Sequence, residues 1–187
     1  MPHRHFLIHK PYGYLSQFVG EAKKKKLGEF HAFPDGIMAI GRLDEDSEGL
    51  LLLTTDGRMS EYIRSKNIEK EYYAQVDGLI DDAAIAQLRA GVEIGVHSVK
   101  FQTSPCAARR LAPAPTFVPR TRKIRDDRHG PTSWVSITLT EGKYRQIRKM
   151  TAAVGFPTLR LIRVRVGGIW LGDLAPGAVR EVVDFGM

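Results

Sequence analysis

Two short apolar runs, Ile37 to Ile40 and Leu50 to Leu53, flank a charged connection in the N-terminal half of the chain. A glycine ends the first run, and the turn pair Asp56-Gly57 follows the second closely. Short continuous apolar runs bounded by turn residues are typical of strands buried on both faces. The pattern therefore predicts two buried strands that present residues 42–48 as a loop, and a charged loop on a rigid scaffold is a common carrier of reactive groups.

The rest of the chain alternates between strand-like and helix-like patterns. Alternating apolar and polar residues or short apolar runs predict strands over residues 5–9, 69–76, 92–101, 133–139, 159–166 and 179–183. Helical spacing predicts helices over residues 58–66 and 81–91 and a third helix that ends at Gly155. In this last helix Ile147, Met150, Thr151 and Val154 share one face, whereas Arg145, Arg148 and Lys149 share another.

Residues 111–131 differ from the rest in being rich in proline and basic side chains. A loop of about 20 residues in a compact domain is usually functional or disordered. Its basic residues are Arg120, Arg122, Lys123, Arg125 and Arg128. No internal repeat and no second independent core are visible in the pattern.

The composition narrows the class of protein. The 187 residues carry a net charge of +7, with a pI near 9.6, which favours polyanionic partners. The single cysteine, Cys106, excludes an internal disulfide framework and suits a reducing compartment. No stretch approaches the roughly 18 apolar residues of a membrane span, and the N-terminus lacks a signal-peptide core. These features predict a cytoplasmic protein without a membrane partner.

Four segments resemble the motifs of the RsuA-type pseudouridine synthases. The string from Gly41 to Gly57, G-R-L-D-x-x-S-x-G-L-L-L-L-T-x-D-G, resembles the signature of that family. Lys10-Pro11-Tyr12-Gly13 and Lys70-Glu71-Tyr72 resemble its opening and second motifs, and residues 141–150 resemble its third. The resemblance extends from residue 6 to residue 183.

The resemblance implies a fold and a domain organisation. It predicts an α+β protein with a mixed, mostly antiparallel central sheet and helices packed alongside. Residues 1–187 would form a single catalytic domain, or two lobes that meet at the active-site cleft, and we expect no S4-type RNA-binding domain. The closest branch of the family acts on large-subunit (23S) ribosomal RNA, and we expect a monomer.

The resemblance also assigns roles to individual side chains. Asp44 corresponds to the catalytic aspartate of the family, and Lys143 corresponds to the basic partner of that aspartate. A nearby cation keeps an aspartate ionised, which is the role that the resemblance implies for Lys143. Tyr72 would stack against the target base and is a catalytic candidate for the proton transfers, and Ile137 would lie under the base. Arg42 would enter the RNA stack in place of the flipped base.

The remaining candidate residues are basic and would contact RNA. Lys10 is either a structural cation near the active-site floor or a phosphate contact, and the sequence leaves both open. Arg145 stands where many relatives have histidine, which suits phosphate binding more than a role in the reaction. The other candidates are Arg148 and Lys149 in the third motif and Arg120, Arg122 and Lys123 in the proline-rich loop.

The implied reaction converts a uridine within RNA to pseudouridine. The N1–C1′ bond breaks, the uracil rotates, and C5 bonds to C1′, a sequence that needs no metal or other cofactor. The family chemistry leaves open whether Asp44 attacks C1′ or removes a proton from C2′.

Two alternatives remain. Asp44, Asp46 and Glu48 offer paired carboxylates for a glycosidase-like hydrolase, although carboxylates on one short turn tend to point apart. A non-catalytic RNA-binding or ribosome-assembly protein on the same fold is the second alternative, against which the presence of Asp44, Tyr72 and Lys143 together argues.

Overall fold

The computed structural model describes residues 2–65, 67–125 and 127–187. The chain divides into two units, of which the first comprises residues 1–68, 120–122 and 162–187 and the second residues 69–119 and 123–161. In chain order the strands and helices are β1 His5–Lys10, β2 Tyr14–Leu15, β3 Lys25–Lys26, β4 Met38–Ala39, β5 Glu48–Thr54, α1 Gly57–Ser65, β6 Lys70–Asp77, α2 Asp82–Ala90, β7 Glu93–Val96, β8 Val99–Gln102, β9 Ala107–Leu111, β10 Thr132–Leu139, α3 Gln146–Ala153, β11 Thr158–Val166, β12 Ile169–Trp170 and β13 Val179–Val182.

The first unit is built on β5, whose seven residues are all buried. One edge of β5 pairs with β1 in antiparallel register, and β1 pairs in turn with β13. The other edge pairs with β11 in parallel at Glu48 and Gly49 and with β4 at Leu53 and Thr54. A strand paired on both edges and covered on both faces accounts for the run of four leucines.

The expectation of a second buried strand over residues 37–40 is wrong. Only Met38 and Ala39 form a strand, and the side chain of Met38 is exposed. The reason lies in the edge of β5, because β11 already occupies the part nearest the charged loop. The apolar run can therefore pair only at the far end of β5, and only Ile40 of its four residues is buried.

The second unit packs α2 and α3 against three antiparallel strands in the order β9-β10-β6. Its core joins Ala74 and Val76 of β6 to Val135, Ile137 and Leu139 of β10, as the alternation predicts. The separate β7–β8 hairpin contributes Ile94 to the same core. β11 then runs from this unit into the first.

Both predicted surface helices are present, and each begins at an aspartate. The carboxylate of Asp56 accepts hydrogen bonds from the backbone of Arg58 and Met59, and that of Asp81 accepts one from Ala84. Such N-caps satisfy backbone donors that have no partner within the helix. Together with the mostly antiparallel strand pairing, the helices confirm the predicted α+β class. None of the helices in the described residues is long and apolar enough to span a bilayer.

Candidate active site and RNA-binding residues

Residues 42–48, hereafter the acidic loop, lead directly into β5 in the first unit. Gly49, the second residue of β5, has φ = +110°, and a Cβ added there would lie 2.2 Å from the backbone oxygen of Arg163. Only glycine permits this approach between β5 and β11. The side chain of Arg163 is itself buried and donates a hydrogen bond to the carbonyl of Leu50 at 2.7 Å. The end of the acidic loop is thus fixed by close backbone packing.

Hydrogen bonds from outside the loop hold its backbone. The hydroxyl of Ser16, which is buried, donates to the carbonyl of Leu43 at 2.7 Å and accepts from its amide at 2.9 Å. The amide of Gly13 donates to the carbonyl of Glu45 at 2.8 Å. Asp44 lies between these two anchored residues, is half-buried, and accepts a hydrogen bond on its carbonyl from the amide of Ser47 at 3.0 Å. The position of the Asp44 backbone is therefore set by its neighbours on both sides.

Lys10 is fully buried beneath the acidic loop. Its ammonium donates to the carbonyls of Tyr14 at 2.7 Å, Pro11 at 3.0 Å and Glu45 at 3.5 Å. Burial lowers the pKa of Lys10 to about 8, although nearby carboxylates, Glu48 foremost and Asp44 among them, act in the opposite direction. A side chain with no exposed surface is not placed to contact a phosphate. The burial of Lys10 thus favours the alternative of a structural cation over that of a phosphate contact.

An ion pair joins the acidic loop to a lysine outside it. The ammonium of Lys24 lies 2.8 Å from a carboxylate oxygen of Glu45, and this hydrogen bond raises the pKa of Lys24. Both side chains are about 41% exposed, so the pair contributes little to stability. Arg42, at the start of the loop, is exposed. Lys24, one of four consecutive lysines at residues 23–26, thus has a partner within the protein.

Tyr72 and Ile137 are brought together in the second unit. They are direct cross-strand partners in the antiparallel pairing of β6 with β10. Residues opposite each other in such a pair have Cβ atoms about 5 Å apart and point to the same face. Tyr72 is half-buried against the core, whereas Ile137 is fully buried within it. An aromatic ring and an aliphatic side chain therefore lie side by side on one face of the sheet, and of the two only Tyr72 has exposed surface.

Lys143 lies at the surface of the second unit, at the start of residues 143–149, hereafter the basic segment. Its ammonium lies 4.7 Å from the centre of the Phe101 ring, in a cation–π contact. Its backbone amide donates to the side chain of the buried Gln146 at 2.9 Å. Gln146 in turn donates to Glu141, which also accepts from the amide of Ser104. The backbone of Lys143 is thus fixed by buried polar contacts while its charge reaches solvent.

Arg145 does not share a helical face with Arg148 and Lys149. It precedes α3 as the N-cap residue and has a left-handed backbone with φ = +52°. The expectation that the three basic residues form one helical face is therefore wrong for Arg145. Arg148 and Lys149 lie on α3 and are half-buried. The apolar face of Ile147, Met150 and Thr151 is buried as predicted.

Three basic residues of the proline-rich loop contact aromatic or acidic side chains of the protein. The guanidinium of Arg120 lies 4.6 Å from the centre of the Tyr12 ring, and that of Arg122 donates to the Tyr12 hydroxyl at 3.3 Å. Arg125 forms an ion pair with Asp77. Lys123 is exposed. Arg120 and Arg122 therefore contact the opening motif at Tyr12, which sequence patterns did not identify.

Sequence patterns also missed Ser16, Glu141 and Gln146 as anchors of the candidate site. All three are polar residues inside or beside motifs, and their role became visible only through their buried hydrogen bonds. Among the described residues, no three histidine, cysteine, aspartate or glutamate side chains converge to hold a metal ion.

Comparison with known proteins identifies the class to which this fold and site belong. The sequence model of the RNA pseudouridylate synthase family matches residues 4–153, and the chain belongs to this family, whose members are isomerases. The match spans the acidic loop, the Tyr72–Ile137 pair and the basic segment, so the resemblance seen in the sequence is confirmed.

Individual members of the family show which of its branches this chain resembles. The chain is 43% identical to the ribosomal large subunit pseudouridine synthase E of Xanthomonas campestris pv. campestris, over 93% of this chain and 92% of that protein. It is 41% identical to the protein of the same name from Vibrio parahaemolyticus, over 94% of this chain and 72% of the relative. A crystal structure of a pseudouridylate synthase superposes with a TM-score of 0.76 at 26% identity, covering 96% of this chain and 70% of that structure.

Proposed function

We propose that this protein isomerises a specific uridine of large-subunit (23S) ribosomal RNA to pseudouridine, with Asp44 as the catalytic residue. The observation that carries the proposal is the family match over residues 4–153, which includes every segment with an assigned catalytic side chain. The relatives named as large-subunit synthase E support the choice of RNA, since they match nearly the whole chain. The proposal includes a single catalytic domain that acts as a monomer in the cytoplasm.

Asp44 is proposed to start the reaction on the ribose of the target uridine. Either its carboxylate attacks C1′, or it removes the proton from C2′, and both routes release the uracil for rotation. Its backbone is anchored on both sides, which supports this role because a reactive group must be held close to its productive geometry. Lys143 is proposed to keep Asp44 ionised in the RNA complex.

Tyr72 is proposed to stack against the uracil, and Ile137, its direct partner across β6 and β10, to lie under the base. Because Ile137 has no exposed surface, the base can reach it only if the side chains that cover it move when RNA binds. Arg42 is proposed to fill the gap that the flipped uridine leaves in the RNA. Flipping costs least in loops and bulges, where bases are already partly unstacked, so we expect an unpaired target uridine.

The basic residues outside the catalytic groups are proposed to bind RNA phosphates. They are Arg145, Arg148 and Lys149 near α3 and Arg120, Arg122 and Lys123 in the proline-rich loop. Replacing any one phosphate-binding residue with serine should lower the salt slope of RNA binding by about 0.7 to 1. An unchanged slope after replacement of the three loop residues would assign them to the Tyr12 contact alone.

Tritium release from C5-labelled uridine in a 23S ribosomal RNA transcript tests the proposal. Asp44→Asn should keep fold and RNA binding but lower turnover by about a thousand-fold or more. Asp46→Asn is the matched control from the same loop and should retain turnover within about tenfold. If both variants abolish tritium release, the isomerisation needs two carboxylates of the loop. A wild type that frees uracil from the transcript without releasing tritium would be the hydrolase alternative, because hydrolysis leaves the C5 hydrogen in place.

A wild-type protein that binds the transcript but releases neither tritium nor uracil would instead be the non-catalytic RNA-binding protein. Mapping pseudouridine in ribosomal RNA from cells lacking the gene would then identify the modified position, or show that none depends on this protein.

A further inference from the structure

The β7–β8 hairpin of the second unit turns through His97 and Ser98, which both have a left-handed backbone. Their φ values are +48° and +65°, and the closing pair of the hairpin is Val96 with Val99. A two-residue turn with positive φ at both positions is the type favoured by Asn-Gly. Histidine and serine both carry a Cβ that opposes this conformation, so the turn is strained.

The ring of His97 stacks on the ring of Tyr144 in the basic segment. The two centroids are 5.7 Å apart and the planes differ by 24°, so the rings are nearly parallel. Tyr144 is 57% exposed, and His97 is exposed as well. The ammonium of Lys149 lies 5.1 Å from the centre of the Tyr144 ring. Two stacked aromatic rings and a cation are thus presented to solvent together.

Folding of the hairpin does not account for this arrangement. The hairpin is already anchored by Ile94, which is buried in the core of the second unit, and by the contact of Phe101 with Lys143. A stacked pair that remains mostly in water buries little apolar surface and adds little stability. Strained backbone that persists without a structural benefit is typical of functional positions.

We propose that His97 and Tyr144 form a stacking platform for an unpaired base of the substrate RNA, separate from the target uridine. The base would extend the stack on His97, and the ammonium of Lys149 would approach the phosphate of the same nucleotide. Sequence-tolerant stacking on exposed aromatic side chains beside basic groups is how proteins hold single-stranded RNA. This inference rests on the proposed function only in taking RNA as the substrate.

Two variants test the platform by different routes. His97→Asn combined with Ser98→Gly supplies the turn sequence that the backbone favours and removes the ring. Tyr144→Leu leaves the turn unchanged and replaces the ring with an aliphatic side chain. Tyr62→Leu is the matched control, because Tyr62 is an exposed tyrosine on α1, outside the proposed platform.

Binding is measured by fluorescence anisotropy with two labelled probes, an RNA hairpin with an unpaired loop and a fully paired RNA duplex of equal length. Both platform variants should weaken loop binding by roughly tenfold and leave duplex binding unchanged. The double variant should also unfold at a higher temperature than the wild type, because the turn is relieved of strain. Tyr62→Leu should bind both probes like the wild type.

The outcome that separates stacking from folding is higher stability together with weaker loop binding. Equal weakening for loop and duplex would overturn the platform and indicate a purely electrostatic contact. Unchanged loop binding in either platform variant would overturn the role of the ring concerned. Tritium release by the wild type is measured in parallel, so that a failure of the proposed enzymatic function is recognised independently of these binding results.

Discussion

The acidic loop and the basic segment both carry a motif of the family, but the protein holds their side chains in different ways. Around Asp44 the anchors are buried: Ser16 bonds the loop backbone, Lys10 lies beneath it, and Gly49 fits against β11. In the basic segment the backbone is anchored through Gln146, whereas the charged and aromatic side chains reach solvent. The acidic loop is therefore held by buried side chains and close strand packing, whereas the basic segment is held mainly through hydrogen bonds to its backbone.

This difference separates the expected effects of substitution. Around the acidic loop, a change to an anchor should alter folding stability and turnover together, since both depend on the same buried contacts. In the basic segment, a change to a surface side chain should alter function and leave stability nearly intact. Measurements of the free energy of unfolding therefore distinguish the acidic loop from the basic segment.

The largest effect is expected at Gly49. Gly49 has φ = +110°, and Gly49→Ala would place a Cβ 2.2 Å from the backbone oxygen of Arg163. Strands β5 and β11 would therefore have to separate. We expect the free energy of unfolding to fall by about 4 kcal/mol or more. Gly57→Ala is the control, because no atom lies within 4 Å of its added Cβ at the start of α1. It should be neutral or stabilising by up to about 1 kcal/mol. Chemical denaturation measures both, and similar values for the two would contradict the tight fit.

Whether the sequence predicts a strand around the acidic loop correctly depends on the type of contact that forms the strand. The run of four leucines and the alternation in β6 and β10 depend on local pattern and burial, and they predicted β5 and the inward positions of Ala74, Val76 and Ile137 correctly. The run at residues 37–40 has the same pattern but forms only β4. Which edge of β5 remains available is decided by β11, more than a hundred residues later, and no local pattern contains that information.

The candidate site shows the same limit. The motifs located Asp44, Tyr72 and Lys143, but not the contacts that hold them. Ser16 lies 27 residues from Leu43, and Lys10 lies 35 residues from Glu45, so their hydrogen bonds depend on the folded chain. Lys10 could be a phosphate contact or a structural cation because a lysine in a motif looks the same in both cases. Its burial in the folded chain favours the structural cation.

The next effect concerns pH and the buried ammonium of Lys10. Its pKa is lowered from 10.5 to about 8, so between these values the unfolded chain holds a proton that the folded chain has released. The contribution of Lys10 to the free energy of unfolding should therefore rise with pH between about pH 8 and pH 10.5, by at most about 3 kcal/mol. Below about pH 8 this contribution should not change with pH, because both states hold the proton. In Lys10→Met this rise should disappear, whereas Lys143→Met should retain it because that side chain lies at the surface. Identical pH profiles for the wild type and Lys10→Met would contradict the buried cation.

A smaller effect is expected at Ser16. Ser16→Ala leaves both the amide and the carbonyl of Leu43 without this partner in a buried position. The free energy of unfolding should fall by about 1–2 kcal/mol, and turnover should fall with it because Leu43 precedes Asp44. Ser104→Ala, which removes an exposed hydroxyl bonded to Glu141, is the control in the other region and should change stability by less than about 0.5 kcal/mol. Normal turnover in a stably folded Ser16→Ala would show that the loop keeps its geometry without this anchor.

The smallest effect on stability, and the clearest contrast with the acidic loop, is expected at Lys143. Lys143→Met keeps the length of the side chain but removes the exposed charge over Phe101, so the free energy of unfolding should change by less than about 0.5 kcal/mol. Turnover at saturating RNA should nevertheless fall by roughly 100-fold if the ammonium supports Asp44 during the reaction. Lys100→Met is the matched control, because Lys100 is an exposed lysine of the same unit, paired with Glu93 on the β7–β8 hairpin. It should leave turnover within about twofold of the wild type. If Lys143→Met weakens RNA binding and leaves turnover intact, Lys143 is a phosphate contact, and the basic segment serves binding without taking part in the chemistry.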